Sequence, residues 1–248
     1  MEKQSNAAGS KKQTRTGGAM NKLFNMDNPL MKALSIAADL LILNILTVVL
    51  SIPIITMGPA IIAMNDVVIS IVRGEEGYTV QPYFKSFKLN FKKGALMSLI
   101  LVAVTAILYF DYLAAVTYIP VMKVGIVAIG VILLAISIYA FALFARYENT
   151  FGGTLKNAAL LAVAHFPKTL FMVVCTVGLW VVCIHFYKIG APILFMLGLS
   201  LPCYVNILFI NKVFHKLEGE EEKSKDEEDE EFNDESEKFL KDFYEQNK

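Results

Sequence analysis

The stretch Ala33–Val72 constrains this chain more than any other. Its forty residues include no Lys or Arg, and Asp39 and Asp66 are the only formal charges. One straight helix of that length would extend roughly 60 Å, about twice the hydrocarbon thickness of a bilayer. An apolar segment of this length therefore has to fold back on itself inside or beside a membrane.

Two prolines mark the predicted fold-back. Pro53 follows Ser-Ile, and Pro59 follows a glycine. Each proline lacks an amide donor and disfavours helix in the residue before it. The sequence therefore predicts two short antiparallel transmembrane helices, Lys32–Ile52 and Pro59–Val72, joined by the SIPIITMG bend.

The rest of the chain repeats the apolar pattern. Hydrophobic residues make up 55 % of it, mean hydropathy is +0.51, and the apolar residues come in blocks of about twenty. That is the composition of a membrane protein rather than of a soluble domain. Four more spans are predicted at Gly94–Val116, Val121–Ala145, Lys168–Tyr187 and Ala191–Ile210. The fold class is therefore an all-α integral membrane protein, with about six transmembrane helices in a domain over residues 20–217, plus cytoplasmic amphipathic helices and an acidic tail.

The distribution of basic residues predicts the topology. Six Lys or Arg precede the first span, five lie between the second and third, and three lie between the fourth and fifth. Three turns lie on the opposite side. The first holds no Lys or Arg, the second holds Lys123 and the third holds Lys188. Because positively charged loops stay in the cytoplasm, we expect both termini to be cytoplasmic and the bend at residues 51–58 to lie outside.

The two ends of the chain differ in charge. Residues 1–19 form a basic, polar extension that we expect to be disordered. Residues 218–248 hold 15 acids and 5 lysines, a net charge of 5 − 15 = −10. We expect the acidic run to be disordered, with a terminal helix that either frays in solvent or folds on a partner or on the protein's own basic loops. One apolar helical face is predicted for that segment: Phe239, Leu240, Phe243 and Tyr244.

Polar residues inside the first two spans are the first candidates for function, because a charge at mid-depth in a bilayer is costly. Positions equally far from the centre of the bend share a depth in such a hairpin. With the bend centred near residue 55, Asp39 is predicted to pair with Arg73 at the cytoplasmic interface, and Asn44, Asn65 and Asp66 form a deeper polar cluster. The cluster either joins the two helices by hydrogen bonds or lines a path for a solute or proton.

The segment QPYFKSFKLNFKKG, after the second span, predicts an amphipathic helix. Tyr83, Phe87 and Phe91 recur at every fourth position, with lysines between them. This pattern is typical of a helix in the membrane interface, where it either anchors on anionic lipid or docks a cytoplasmic partner. The candidates for partner contact, which include the loop before this helix, are Glu75, Glu76, Tyr78, Tyr83, Phe84, Lys85, Phe87, Lys88, Phe91 and Lys92.

Signals of enzymatic chemistry are weak. The chain has no G-x-x-x-x-G-K-[ST] motif, no H-E-x-x-H motif and no cysteine pair at zinc spacing. His165, His185 and His215 lie in different segments, which does not suit a catalytic triad. We therefore expect a protein that is not an enzyme, with no catalytic residue, metal, cofactor or bound nucleic acid.

Four stretches of the sequence resemble a known family. They are LNILTVVLSIPIITMGPA at Leu43–Ala60, RGEEGY at Arg73–Tyr78, FKSFKLNFKKG at Phe84–Gly94, and NAALLAVAHFPKTL at Asn157–Leu170. Over about Met20–Lys216 the chain is similar to the YesL-like bacterial membrane proteins, domain of unknown function 624. The resemblance carries over no catalytic residue.

The resemblance implies a setting rather than a reaction. Such proteins are integral to the bacterial plasma membrane and are often encoded beside oligosaccharide ABC importers and carbohydrate-degrading enzymes. We therefore expect an accessory or assembly subunit that binds ABC permease subunits in the lipid bilayer, with self-association as a further property. The alternative is a stand-alone small solute transporter or channel, which the absence of an evident internal repeat disfavours.

Overall fold

Helices form every regular element in the described part of the chain, as predicted. The computed structural model describes residues 29–75, 78–118, 121–185 and 197–216. The predicted basic extension and acidic tail lie outside these residues. The helices are α1 (Pro29–Leu50), α2 (Ile54–Arg73), α3 (Val80–Leu89), α4 (Phe91–Tyr118), α5 (Met122–Arg146), α6 (Phe151–Ala164), α7 (Phe166–His185) and α8 (residues 200–216).

Four of these helices are long and apolar enough to cross a membrane, namely α1, α2, α4 and α5. Helices α6 and α7 meet at an angle of 99°. If this bent pair crosses the membrane as a single broken span, it makes a fifth. The sixth predicted span begins at residues 191–196, outside the described part, and α8 covers its second half. The class of membrane protein is thus supported by length and composition, and the count of six spans stays a prediction.

The bend between α1 and α2 is shorter than predicted. Leu50 ends α1 and Ile54 begins α2, so only residues 51–53 turn the chain. The hydroxyl of Thr56 lies within hydrogen-bond distance of two carbonyl oxygens, those of Leu50 at 2.5 Å and Pro53 at 2.8 Å, which closes the turn. The prediction that residues 54–58 also belong to the bend is wrong, because α2 already begins at Ile54.

Pro59 is accommodated inside α2 because the carbonyl group that it leaves unpaired finds another donor. A proline at position 59 cannot donate to the carbonyl oxygen of Ile55. The hydroxyl of Ser98, on α4, lies 3.2 Å from that oxygen and 3.0 Å from the carbonyl oxygen of Ala95, so its one proton serves both acceptors. A side chain 43 positions away thus partly replaces the lost helical hydrogen bond.

The helix α2 is the centre of the structure. It packs against α1, α3, α4 and α5, and most of its residues between 58 and 69 are buried. The closest contact of α2 is with α4, where a glycine of one helix meets a glycine of the other. A Cβ atom added to Gly58 would lie 1.9 Å from the carbonyl oxygen of Gly94, and one added to Gly94 would lie 2.5 Å from the nitrogen of Pro59. Only glycine allows the two backbones to approach this closely.

This contact contradicts part of the predicted topology. The sequence analysis put the bend outside and the lysine-rich start of the third span inside. In the structure Gly58 contacts Gly94, two residues from Lys92, so the bend and the start of α4 lie at one depth. The reason is that the chain runs back along α2 after Arg73, so that the hydroxyl of Tyr83 reaches the carbonyl oxygen of Ala60 at 3.3 Å.

The opposite end of α2 gathers several helix ends. Gly74 ends α2 in the left-handed conformation (φ 74°), and its N–H and that of Glu75 donate to the carbonyl oxygens of Ile71 and Ser70. Close by, Arg73 contacts α8, whose Phe214 ring packs edge-on against Tyr147 at the end of α5, at 5.4 Å. The ends of α2, α5 and α8 thus lie together.

Candidate functional site

A groove of about 860 Å³ opens between the first turns of α1, the end of α2 and the segment before α3. Its polar lining residues are Lys32, Ser35, Asp39, Ser70, Glu75, Tyr78 and Thr79. Its apolar lining comes chiefly from Met31, Leu34, Ile36, Val67 and Ile71. The groove therefore combines carboxylates, hydroxyls and an aromatic ring, which suits a polar ligand with an apolar part.

Asp39 lies in this groove and is held by Thr79, whose hydroxyl donates to its Oδ1 at 2.5 Å. The predicted partner of Asp39 is Arg73. Arg73 donates from Nε to the Oδ1 of Asn211 on α8, at 3.0 Å. Because the bend is centred at residue 52, Asp39 lies level with residue 104 − 39 = 65 of α2, and Arg73 lies about 12 Å further along the helix. The described hydrogen bonds therefore give the two side chains different partners.

Asn44 is fully buried, and its partners lie at the start of α8 rather than on α2 as predicted. Its Oδ1 accepts the backbone N–H groups of Leu199 at 2.8 Å and Ser200 at 3.1 Å. These groups lie where α8 begins, and the first N–H groups of a helix have no partner within the helix. Asn44 thus caps α8 from a position 155 residues earlier in the chain.

The other two members of the predicted cluster also have their own partners. Asn65 donates from Nδ2 to the carbonyl oxygen of Ile61 in its own helix, at 2.8 Å. Asp66 makes a side-chain hydrogen bond with Ser86 of α3. In the described hydrogen bonds, Asn44 joins α1 to the start of α8, Asn65 bonds within α2, and Asp66 joins α2 to α3. These bonds do not connect the three residues into the predicted cluster.

Tyr83 faces into the protein rather than outward. Its side chain is fully buried, and its hydroxyl donates to the carbonyl oxygen of Ala60. The Thr47 hydroxyl lies 3.2 Å away and donates to the Tyr83 oxygen. Burial raises the pKa of Tyr83 to about 12. The prediction that Tyr83 contacts a partner is wrong. Tyr83 and Ser86 are both buried and form the inner face of α3.

The other side of α3 is exposed, and we call it the basic-aromatic face. It consists of Phe84, Lys85, Lys88, Leu89 and Lys92, the last in the first turn of α4. Leu89 is 73 % exposed, which is high for a leucine beside a protein core. The face thus keeps the charge and apolar character predicted for this helix.

The remaining partner-contact candidates divide between this face, the core and the groove. Phe87 is half-buried against the core, with its ring 5.8 Å from that of Phe91, which is exposed. Tyr78 is 83 % exposed, and Glu75 lies beside it in the lining of the groove. Glu76 lies outside the described residues.

Sequence reasoning missed three polar residues that hold these elements in place: Thr79, Ser86 and Asn211. The signal for Asn211 was present, because it is an amide directly after the apolar run of the sixth predicted span. Thr79 and Ser86 carry no comparable signal.

Within the described residues, no group of three or more His, Cys, Asp or Glu side chains is placed to hold a metal ion.

Part of the chain is similar to a known protein family. Residues 40–112 match the model of a family described as a protein of unknown function, DUF624. The match covers 112 − 40 + 1 = 73 of the 248 residues, and we call residues 40–112 the DUF624 segment. The resemblance to the YesL-like membrane proteins is thereby confirmed for this part of the chain. Neither a curated protein nor a solved structure matches the chain.

The DUF624 segment spans the second half of α1, all of α2 and α3, and α4 as far as residue 112. It therefore includes the two contacting glycines, the basic-aromatic face and the α2 side of the groove. Helix α8, with the partners of Asn44 and Arg73, lies beyond it.

Proposed function

We propose that this protein is an accessory or assembly subunit of a carbohydrate ABC importer in the bacterial plasma membrane. The resemblance to the YesL-like family supports the setting, since those proteins are often encoded beside such importers. The observation that carries the proposal is the basic-aromatic face, an exposed surface beside an apolar helix of membrane-spanning length.

That face is rigid, which suits recognition. On the inner side of α3, Tyr83 and Ser86 are buried and contact α1 and α2, so the rotation of the helix about its axis is fixed. Aromatic and basic side chains held in one orientation contribute strongly to binding energy, because less side-chain and backbone freedom is lost on association. An acidic surface on a permease subunit is the complement of such a face.

We place the lysines of α3 and both chain ends on the cytoplasmic side, because positively charged segments stay there. This orientation brings the bend to the cytoplasmic side as well, since Gly58 contacts Gly94, so that α1 begins and ends on one side and the hairpin of α1 and α2 enters the membrane without crossing it. Single cysteines at Ile52, which is 78 % exposed, and at Leu89 would then both be labelled in inverted membrane vesicles and not in intact cells. Labelling of either position from the medium would refute the orientation.

Co-purification from native membranes in a mild detergent tests the function. We expect permease subunits to accompany the wild-type protein and to be lost with the double substitution Phe84→Ala and Lys88→Glu. The matched control is Lys156→Glu, which reverses an exposed lysine on α6. Recovery of the wild-type protein only as a self-oligomer would contradict the proposal.

The groove favours a second candidate function, transport of a small polar solute by this protein alone. Its volume of about 860 Å³ and the carboxylate of Asp39 would accommodate such a solute. Liposomes containing only the pure protein distinguish the two functions. Solute flux that falls with Asp39→Asn would support transport, and the absence of flux for oligosaccharides and small cations would count against it.

A further inference from the structure

The basic-aromatic face belongs to a chain whose charge is divided unevenly. The whole sequence has 23 basic and 23 acidic residues, and residues 218–248 hold 5 and 15 of them. The remainder therefore carries 18 − 8 = +10 charges. Three of those charges, Lys85, Lys88 and Lys92, lie together and exposed on the basic-aromatic face.

We propose that the acidic segment 218–248 binds the basic-aromatic face of α3. Opposite charges at this density attract across several ångströms of water at moderate ionic strength. The ligand is thus an acidic, aromatic peptide supplied by the same chain.

The structure brings the origin of this segment near the face. The described part of helix α8 reaches residue 216, and Asn211, five residues earlier, accepts a hydrogen bond from Arg73 at 3.0 Å. Thr79, which directly precedes α3, is six residues from Arg73, at most about 20 Å along an extended chain. A random-coil chain of about thirty residues has a root-mean-square span of roughly 30 Å, so the length of the segment is sufficient to reach the face. Tethering at this distance gives effective concentrations in the millimolar range.

The apolar parts of the two surfaces also match. On the face, Phe84 and Leu89 are exposed between the lysines. On the segment, helical spacing would align four apolar residues among the acids: Phe239, Leu240, Phe243 and Tyr244. Pairing them would remove apolar surface from water on both sides, which charge attraction alone does not do.

The binding of the segment rests on the proposed orientation, with α3 and the segment on one side of the membrane, and not on the proposed role as an accessory subunit. It adds that the acidic segment and any other acidic occupant of the face, whether a partner protein or anionic lipid, compete for the same lysines. The full chain would then expose the face only when the segment is displaced.

Zero-length carbodiimide crosslinking of the full chain, in nanodiscs of neutral lipid, tests the inference by mass spectrometry. We expect amide crosslinks from Lys85, Lys88 or Lys92 to acids of the segment, falling about fivefold or more when salt rises from about 50 mM to about 500 mM. Leu89→Glu should lower them similarly, while leaving every reactive lysine in place.

The control is Leu160→Glu on α6, because Leu160 is 66 % exposed against 73 % for Leu89. The control should leave the crosslinks unchanged. Equal crosslinking of the segment to Lys156, or crosslinks unaffected by Leu89→Glu and salt, would overturn the inference. Loss of the crosslinks at low salt in nanodiscs of anionic lipid would show that lipid is the preferred occupant, which also overturns it.

Discussion

The contact between α2 and α4 predicts the effect of adding one methyl group at Gly94. The Cβ atom of Gly94→Ala would lie 2.5, 2.7 and 2.8 Å from the N, Cα and Cδ atoms of Pro59. Carbon atoms in ordinary contact are about 3.5–4.0 Å apart, so the helices have to separate by about 1 Å. The backbone of Pro59 cannot move aside as a flexible side chain would.

The magnitude follows from three contributions. Overpacking a tight site costs about 1–3 kcal/mol. Separation also lengthens the 3.2 Å hydrogen bond from Ser98 to Ile55, which is worth about 1 kcal/mol. Alanine regains about 1 kcal/mol over glycine in a helix. The net loss of stability for Gly94→Ala is therefore about 1–3 kcal/mol.

Thermal unfolding of the full chain in detergent measures this loss. At about 2–4 °C per kcal/mol for a protein of this size, Tm should fall by roughly 2–12 °C. The matched controls are Gly125→Ala and Gly130→Ala in α5, where an added Cβ has no atom within 4 Å. These should be neutral or slightly stabilising. If Gly94→Ala is as stable as the controls, the close contact between α2 and α4 is incorrect.

Three further predictions use the same assay. Ser98→Ala should cost about 1 kcal/mol in the wild-type chain and much less beside Pro59→Ala, because that alanine supplies the N–H that Ile55 lacks; equal costs in both backgrounds would refute this explanation of the proline. Asn44→Ala should cost about 2–4 kcal/mol, since it leaves two N–H groups at the start of α8 without an acceptor, and an unchanged Tm would contradict the cap. The pKa of Tyr83 is raised to about 12, so its contribution to stability is complete below about pH 10 and is lost by up to about 3 kcal/mol as pH rises to about 12. Tyr83→Phe should lack this alkaline decline, and an identical decline in both proteins would count against it.

The elements of the DUF624 segment were largely predictable from sequence, because they depend on local patterns. Apolar length and Pro53 predicted both ends of α1 and the end of α2 to within three residues, whereas α2 begins five residues before the predicted start. The spacing of aromatics and lysines predicted α3, although its helix ends at Leu89 and Phe91 already belongs to α4.

The errors have physical causes that a local pattern does not contain. Pro59 was predicted to begin the second helix, but α2 begins five residues earlier, and a serine on another helix lies within hydrogen-bond distance of the carbonyl group that the proline leaves unpaired. The glycine pair at residues 152 and 153 also lies inside a helix, in the first turn of α6, where the Thr150 side chain accepts the N–H of Gly153 at 3.3 Å. Residues that usually interrupt a helix are tolerated near its start, because the first N–H groups have no helical partner there.

The polar residues of α1 and α2 show why the candidate site was harder to predict than the helices. An error of about three residues in the centre of the bend changes which residues face one another, since Asn44 then lies level with residue 104 − 44 = 60 rather than with Asp66. The actual partners of Asn44 and Arg73 are 155 and 138 residues away. Both contacts are to α8, so the hairpin of the DUF624 segment is completed by a helix that lies outside the matched region. Removing α8 should therefore destabilise the hairpin itself, because it would expose the buried amide of Asn44 and remove the Asn211 acceptor of Arg73.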